Sequence, residues 1–298
     1  MRAAVAPVVA GTCALALLFV GCAGGSVPET PIEEPTVTAA PEAPVEEPVV
    51  TKATIVAWAE NAEWSFAADG LWEPETVALQ DGEGDDEYLR TYTLGEAVEG
   101  DADGDGVVDV VIPITQLDGN AMHVLWYVWL GRDDAASGEQ PADQLVYPIA
   151  RMSRCGDTVH EVTALDVGFR IEQTLWMPHT DAGRDCASGG TGEQTRDVVV
   201  SEIDGDPYPI QVAPLEAWGG VCPRSEWLDG ILDEGFDIRA AAAASAPVVV
   251  DASETVGLYE LPEAPLLTAG GQRFFGFQTE ELMADSENPI RMHCGFYG

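Results

Sequence analysis

The sequence predicts an α+β fold: an antiparallel β meander with an N-terminal helix across one face, followed by a smaller C-terminal α+β unit. Three observations predict it. Between residues 76 and 203, short β-branched and aromatic runs follow one another, separated by Asp, Gly and Asn clusters, which is the texture of a meander. Ahead of them, the stretch 52–68 carries a helical period, with Ile55, Ala59, Ala62 and Phe66 at i, i+4, i+7 and i+11. From Pro214 the texture changes, and a soft boundary near residue 213 divides a main domain, 51–212, from a smaller unit, 213–298, tied by disulfides.

Each element has its own signal. Trp58 and Trp64 widen the helical stripe of 52–68 or cap the core, and Gly70 and Pro74 end it. A short strand is expected over 76–80, then an acidic turn over 81–87. The next strand, 88–97, delivers the chain to the loop discussed below, and 107–116 leaves that loop as its hairpin partner. Asp118-Gly119-Asn120 is a turn. The strand at 122–130 contains the run Val124 to Leu130, which is apolar on both faces and suits a central strand covered from two sides; an exposed aromatic platform for carbohydrate is the alternative. A polar loop, 133–144, precedes strands over 145–154 and 158–177, the second with a break near 166–168. A Gly-rich loop over 181–195, a strand over 196–203 and a turn over 205–208 follow. In the last part, 225–232 reads as a helix capped by Ser225, and the Ala run 240–246 reads as helix or spacer. Strands are expected over 248–251 and 255–261, then an aromatic-rich segment, 272–277, and a helical turn at 280–283.

The sharpest chemical signal is the stretch Asp-Ala-Asp-Gly-Asp-Gly-Val-Val-Asp at 101–109, which sets carboxylates at its first, third, fifth and ninth positions. Calcium takes six to eight hard oxygen donors at about 2.3–2.6 Å, and a bending backbone brings alternate Asp residues to one concave side. The ligands read here are the carboxylates of Asp101, Asp103 and Asp105, the backbone carbonyl of Val107, and Asp109 directly or through water. Gly106 permits the sharp turn. An EF-hand needs Glu at position 12, where this chain has Ile112, and a helix on each side, where the flank is β-branched. The pattern D-x-D-x-D-G-x-x-D between strands instead resembles the calcium loop of FG-GAP repeats in integrin-type propellers. Only one copy is present, and a propeller needs several blades, so the resemblance covers the loop and not the fold. It implies a structural Ca2+ ion, because no nucleophile or base lies in the loop. A solvated Asp/Gly hairpin turn without metal is the alternative.

Composition bounds the setting. Fifty-two acidic residues stand against 13 basic ones, a formal net charge of −39. Such a surface repels nucleic acid and anionic head groups and attracts cations or basic partners. Residues 1–21 read as a signal peptide: Arg2 is a minimal positive start, and an apolar run follows it. Phe19-Val20-Gly21-Cys22 resembles a bacterial lipobox, of the kind seen in actinobacterial-type lipoproteins. The resemblance implies cleavage before Cys22, lipidation of its sulfur, and retention on the outer face of the cell membrane. An uncleaved membrane span over Ala3 to Gly21 and an ordinary secretory signal are the alternatives. Residues 22–50 then form an acidic, Pro-rich tether carrying Pro28, Pro31, Pro35, Pro41, Pro44 and Pro48. At about 3.1 Å per residue, 25 such residues reach roughly 75 Å.

Beyond Cys13 and Cys22, the cysteines are Cys155, Cys186, Cys222 and Cys294. An even number in an exported chain argues for two disulfides. Three pairings are possible. Cys155–Cys186 with Cys222–Cys294 is favoured, because each closes a segment that looks like one unit. Zinc lacks the C-x-x-C spacing it ordinarily uses.

Catalytic signatures do not emerge. His160-Glu161 has no second His four residues on, and His123, His160, His179 and His293 are scattered. There is no G-x-S-x-G elbow, Walker loop or dinucleotide fingerprint. The expectation is a lipid-anchored envelope protein, leaning away from enzyme, that binds or scaffolds an unknown envelope protein or ligand and not nucleic acid. The alternative is an extracytoplasmic hydrolase acting on a cell-wall polymer, which would need a His or two carboxylates close together in a cleft.

Overall fold

The computed structural model describes residues 50–66, 75–136, 138–154, 156–176, 181, 183–221, 231–232, 236–254, 258–260, 266–268, 271–280 and 291–297. The leader, Cys22, the tether, Cys155, Cys222 and His179 lie outside these residues. The described residues all belong to the unit Glu46–Gly298. Among the described residues no helix is long and apolar enough to cross a membrane.

The fold is mainly β, with antiparallel sheets and, among the described residues, one α-helix, α1 (Lys52–Ala59), near the start. Thr51 caps the helix: its hydroxyl accepts from the Thr54 N–H, and the Thr54 hydroxyl accepts in turn from the Thr51 N–H. The helix is shorter than its periodicity predicted. It stops at Ala59, and β1 (Glu63–Phe66) pairs with β2 (Glu75–Ala78). The reason lies in Trp64 and Phe66. They are buried two residues apart, a strand period, and the Trp64 indole donates to the Ala59 carbonyl at 2.8 Å, so the chain turns at the helix end.

The central sheet runs β3 (Glu83–Asp85), β4 (Thr91–Leu94), β6 (Asp109–Asp118), β7 (Ala121–Gly131) and β8 (Ala142–Gln144). In it β5 (Val98–Gly100) also pairs with β6, and β9 (Ala150–Ser153) with β7. The stretch expected to be only an acidic turn therefore contains β3, which pairs with β4 through Glu83 and Thr93, Gly84 and Tyr92, and Asp85 and Thr91.

The β6–β7 hairpin is the spine, and its apolar run is indeed covered on both sides. Val110, Ile112, Ile114, Tyr127 and Trp129 face one core with Ile55, Ala59, Trp64, Phe66 and Tyr92. Val111 and Val128 face a second core. The first core is dense in rings: Trp64 meets Trp129 edge-on at 5.1 Å, and Phe66 stacks on Tyr92 at 5.4 Å.

The second core is closed by another sheet, β10 (Thr158–Ala164), β11 (Phe169–Leu175), β12 (Gly192–Ile203), β13 (Asp206–Ala213) and β14 (Leu215–Glu216), in that order. Val162, Phe169, Ile171, Val198 and Val200 supply its inner face. The break between β10 and β11 falls at Leu165 to Gly168, as the sequence indicated.

The C-terminal sheet contains β15 (Ile231–Leu232), β16 (Ile238–Arg239), β17 (Val248–Val250), β18 (Leu258–Glu260), β19 (Leu266–Thr268), β20 (Gly271–Glu280) and β21 (Arg291–Tyr297). The expected helix at 225–232 ends in a strand, β15, and the rest of it lies outside the described residues. Glu280 likewise ends β20, and the remainder of the helical turn expected at 280–283 lies outside them.

The Ala run is neither helix nor spacer. It is an irregular loop between β16 and β17, closed where the Ala240 N–H donates to the Pro247 carbonyl at 2.9 Å. Ala240, Ala241, Ala242, Ala243 and Ala246 are buried against Tyr208, Ile210, Ala217 and Phe296. Burial of small side chains between close backbones overrides the helix preference of Ala. Packing is thus continuous across residue 213.

Candidate metal centre

Strands β5 and β6 pair antiparallel, with Gly100 opposite Asp109, and the acidic loop closes their end. Its curvature needs Gly104 and Gly106, both at φ +83°. Local hydrogen bonds then wrap the backbone around the carboxylates. Asp101 accepts the N–H groups of Gly104 at 2.7 Å and Gly106 at 3.1 Å. Asp103 accepts the Asp105 N–H at 3.1 Å, and Asp105 accepts the Val107 N–H at 2.7 Å.

Asp109, at the first position of β6, is the pivot. It is buried to 1% exposure. One oxygen accepts the Ala102 N–H at 2.6 Å, and the other accepts the Gly131 N–H at the end of β7 at 2.8 Å. The second bond requires a close approach, because a Cβ on Gly131 would run into the Val108 carbonyl.

Two more bonds tie the loop to the other sheet. The Asp101 carbonyl accepts the Gly168 N–H at 2.7 Å, and the Ala102 carbonyl accepts the Val200 N–H at 2.8 Å. The loop therefore joins the central sheet to the β10–β14 sheet.

Carboxylate oxygens of Asp101, Asp103 and Asp109 lie within 4.8 Å of one another, a group able to hold a metal ion. Asp105, expected in the same set, is not in that group, and its carboxylate is turned to the Val107 N–H. Burial pushes the Asp109 carboxyl up to about 7 against the pull of its two N–H donors, and the charges of Asp103 and Asp105 push the same way. The Asp103 carboxyl is raised as well, first by burial. Hard anionic oxygens crowded in this way suit a hard cation, and each carboxylate oxygen that accepts one N–H keeps a further lone pair for a metal.

No protein-family profile, curated protein or solved structure matches this chain.

The described histidines lie on three different strands, β7, β10 and β21. His123 sits opposite Gln116 in the β6–β7 hairpin, and His293 opposite Gln278 in β21. The imidazole Nε2 of His160 lies 2.5 Å from the Thr174 hydroxyl on the exposed face of β10 and β11. Neither His123 nor His160 belongs to the group able to hold a metal. Cys186 is disulfide-bonded, and its sulfur lies 3.6 Å from the Arg154 carbonyl.

Sequence reasoning missed Arg196. It is buried, and its guanidinium donates to the carbonyls of Ile149, at 2.6 Å, and Gly219, and to the side-chain oxygens of Gln173 and Gln211 at 3.4 Å each. Burial lowers its pKa to about 9, with Asp157 pulling the other way. The signal was present: Arg196, Val198 and Val200 share the inward phase of β12, so alternation placed a cation in the core. Gly131 and Gly168, which deliver N–H groups to the loop, carried no sequence signal of that role.

Proposed function

We propose that this chain is a membrane-anchored extracytoplasmic lipoprotein of the bacterial envelope, non-enzymatic, in which Asp101, Asp103 and Asp109 hold a structural calcium ion and the folded unit binds or scaffolds an envelope partner. The observation that carries the metal is the convergence of three carboxylates, one of them buried, in a loop hydrogen-bonded to both sheets. A divalent cation supplies the counter-charge that the buried Asp109 carboxylate lacks and offsets its repulsion with Asp103 and Asp105, so occupancy and sheet-to-sheet cohesion rise together. Asp105 and the Val107 carbonyl complete the set by a local turn of the loop. The apolar leader, Cys22 and the Pro-rich tether support the anchor, and the proximity of the Cys186 sulfur to Arg154 supports pairing with the next residue, Cys155.

Calorimetric titration of the ectodomain with CaCl2 tests the metal. Binding heat is expected, with a melting temperature lowered by EDTA. At calcium about 100-fold above Kd the stabilisation is about 2.7 kcal/mol. No heat and no EDTA effect would leave only a hairpin. Metabolic labelling with palmitate tests the anchor: label appears on the mature chain and disappears in Cys22→Ala.

A further inference from the structure

The turn at 86–90, inside the acidic stretch that the metal loop does not use, is built as a rigid pedestal. The Asp86 carboxylate accepts four donors: the Tyr88 N–H at 2.9 Å and the Arg90 N–H at 3.1 Å on one oxygen, the Arg90 Nε at 2.5 Å and the Tyr92 hydroxyl at 2.9 Å on the other. Tyr92 belongs to the first core and also accepts from Gln116 on β6 at 3.0 Å, so the turn is anchored to the interior. The Asp86 N–H donates to the Arg90 carbonyl at 3.2 Å, and the Leu89 N–H to the Asp86 carbonyl at 3.0 Å.

What this scaffold holds up is apolar. Leu89 is 85% exposed and Tyr88 66%. Arg90 lies over the Tyr88 ring at 5.1 Å. Leu89 also sits at φ +65°, a conformation a γ-branched side chain rarely adopts. Nothing in local stability calls for Leu there, since Gly or Asn fits that backbone better and the side chain is in solvent. Strain maintained beneath an exposed apolar tip is the arrangement of a preorganised contact.

Charge identifies the partner's chemistry. Exposed Asp85 and Glu87 flank the tip, and exposed Asp118 follows Leu117, which pairs with Thr91 beside the turn. In a chain of net charge −39, this rim disfavours an anionic lipid surface and favours a basic protein surface.

We propose that the turn at 86–90 is a docking element that inserts Leu89, with Tyr88 beside it, into an apolar pocket rimmed by Lys and Arg side chains on a partner protein. The inference rests on the binding role proposed above, and it requires neither the calcium ion nor the lipid.

The test puts the photoreactive residue p-benzoylphenylalanine in place of Tyr88 in the full chain, in living cells that produce it, with the exposed position 212 on β13, in another sheet, as control. Expected is one protein adduct from position 88, mapped by mass spectrometry to apolar residues flanked by Lys or Arg. Leu89→Gly in the same chain lowers the adduct about tenfold or more, the factor set by burying one Leu side chain. Leu89→Gly alone raises the melting temperature by about 2–4 °C through relief of the left-handed strain, which separates lost docking from lost folding. A lipid adduct, or an adduct unchanged by Leu89→Gly, overturns the proposal, and so does a melting temperature that falls. Adducts from position 212 alone overturn this docking element and leave the binding role standing. No adduct from either position overturns the docking element and leaves the binding role to other faces of the chain.

Discussion

Replacing Asp109 with Ala removes the acceptor that ties the acidic loop to β7. Two N–H groups lose their partner, those of Ala102 and Gly131. Ala102 is fully buried, so its N–H finds no water, and the loss sits near the upper end of the range of about 1–3 kcal/mol for an orphaned buried donor. Gly131 is half-buried and is partly rehydrated, which sets its share near about 1 kcal/mol. Removing a buried carboxylate returns part of its desolvation. The net is a destabilisation of about 2–4 kcal/mol, or a fall in melting temperature of roughly 5–15 °C for a domain of this size. The measurement is thermal unfolding of the ectodomain by circular dichroism in EDTA, so that metal binding adds nothing to the difference. A fall below about 2 °C would refute the role of Asp109 as the pin between loop and strand. Repeating the melt in calcium then separates the pin from the ligand: the wild type gains stability and Asp109→Ala does not.

Gly168→Ala should destabilise by about 2–5 kcal/mol, because Gly168 sits at φ +86° and a Cβ there would strike the Val198 carbonyl; urea unfolding measures it, with loss of the calcium response as a second readout. Arg196→Lys should lower stability by about 2–3 kcal/mol in the same assay, since an ammonium cannot reach the acceptors that the guanidinium fork spans. Asp86 supplies a pH dependence. Burial alone would raise its carboxyl, but the Arg90 and Tyr88 N–H groups, the Tyr92 hydroxyl and the Arg90 guanidinium together hold it below 3.8. Its folded-state pKa is therefore depressed, so its stabilisation is complete above the unfolded value and is lost as pH falls through the folded one. Acid melts should show a loss below about pH 4 that is absent in Asp86→Asn, a variant already weaker at pH 7.

Local chemistry was legible in the chain itself. The acidic loop could be recognised because its carboxylates lie within nine residues of one another, and turn geometry alone brings Asp101, Asp103 and Asp109 to one side. The two-faced run Val124 to Leu130 announced a strand between two cores, because period-two alternation with apolar groups at both phases has one common structural solution. The break between β10 and β11 was equally local, set by a Gly that tolerates a positive φ.

Tertiary packing decided the rest. The helix stops at Ala59 because Trp64 and Phe66 gain more by packing edge-on against Trp129 and Tyr127 and stacking on Tyr92 as a strand than by continuing a helical stripe. The Ala run folds into a buried loop because Tyr208, Ile210 and Phe296 lie where only small side chains fit. Asp109 binds to Gly131, 22 residues on, and Arg196 reaches Ile149, 47 residues back. Those partners are chosen by sheet register and burial, quantities that belong to the folded chain and have no period in the sequence.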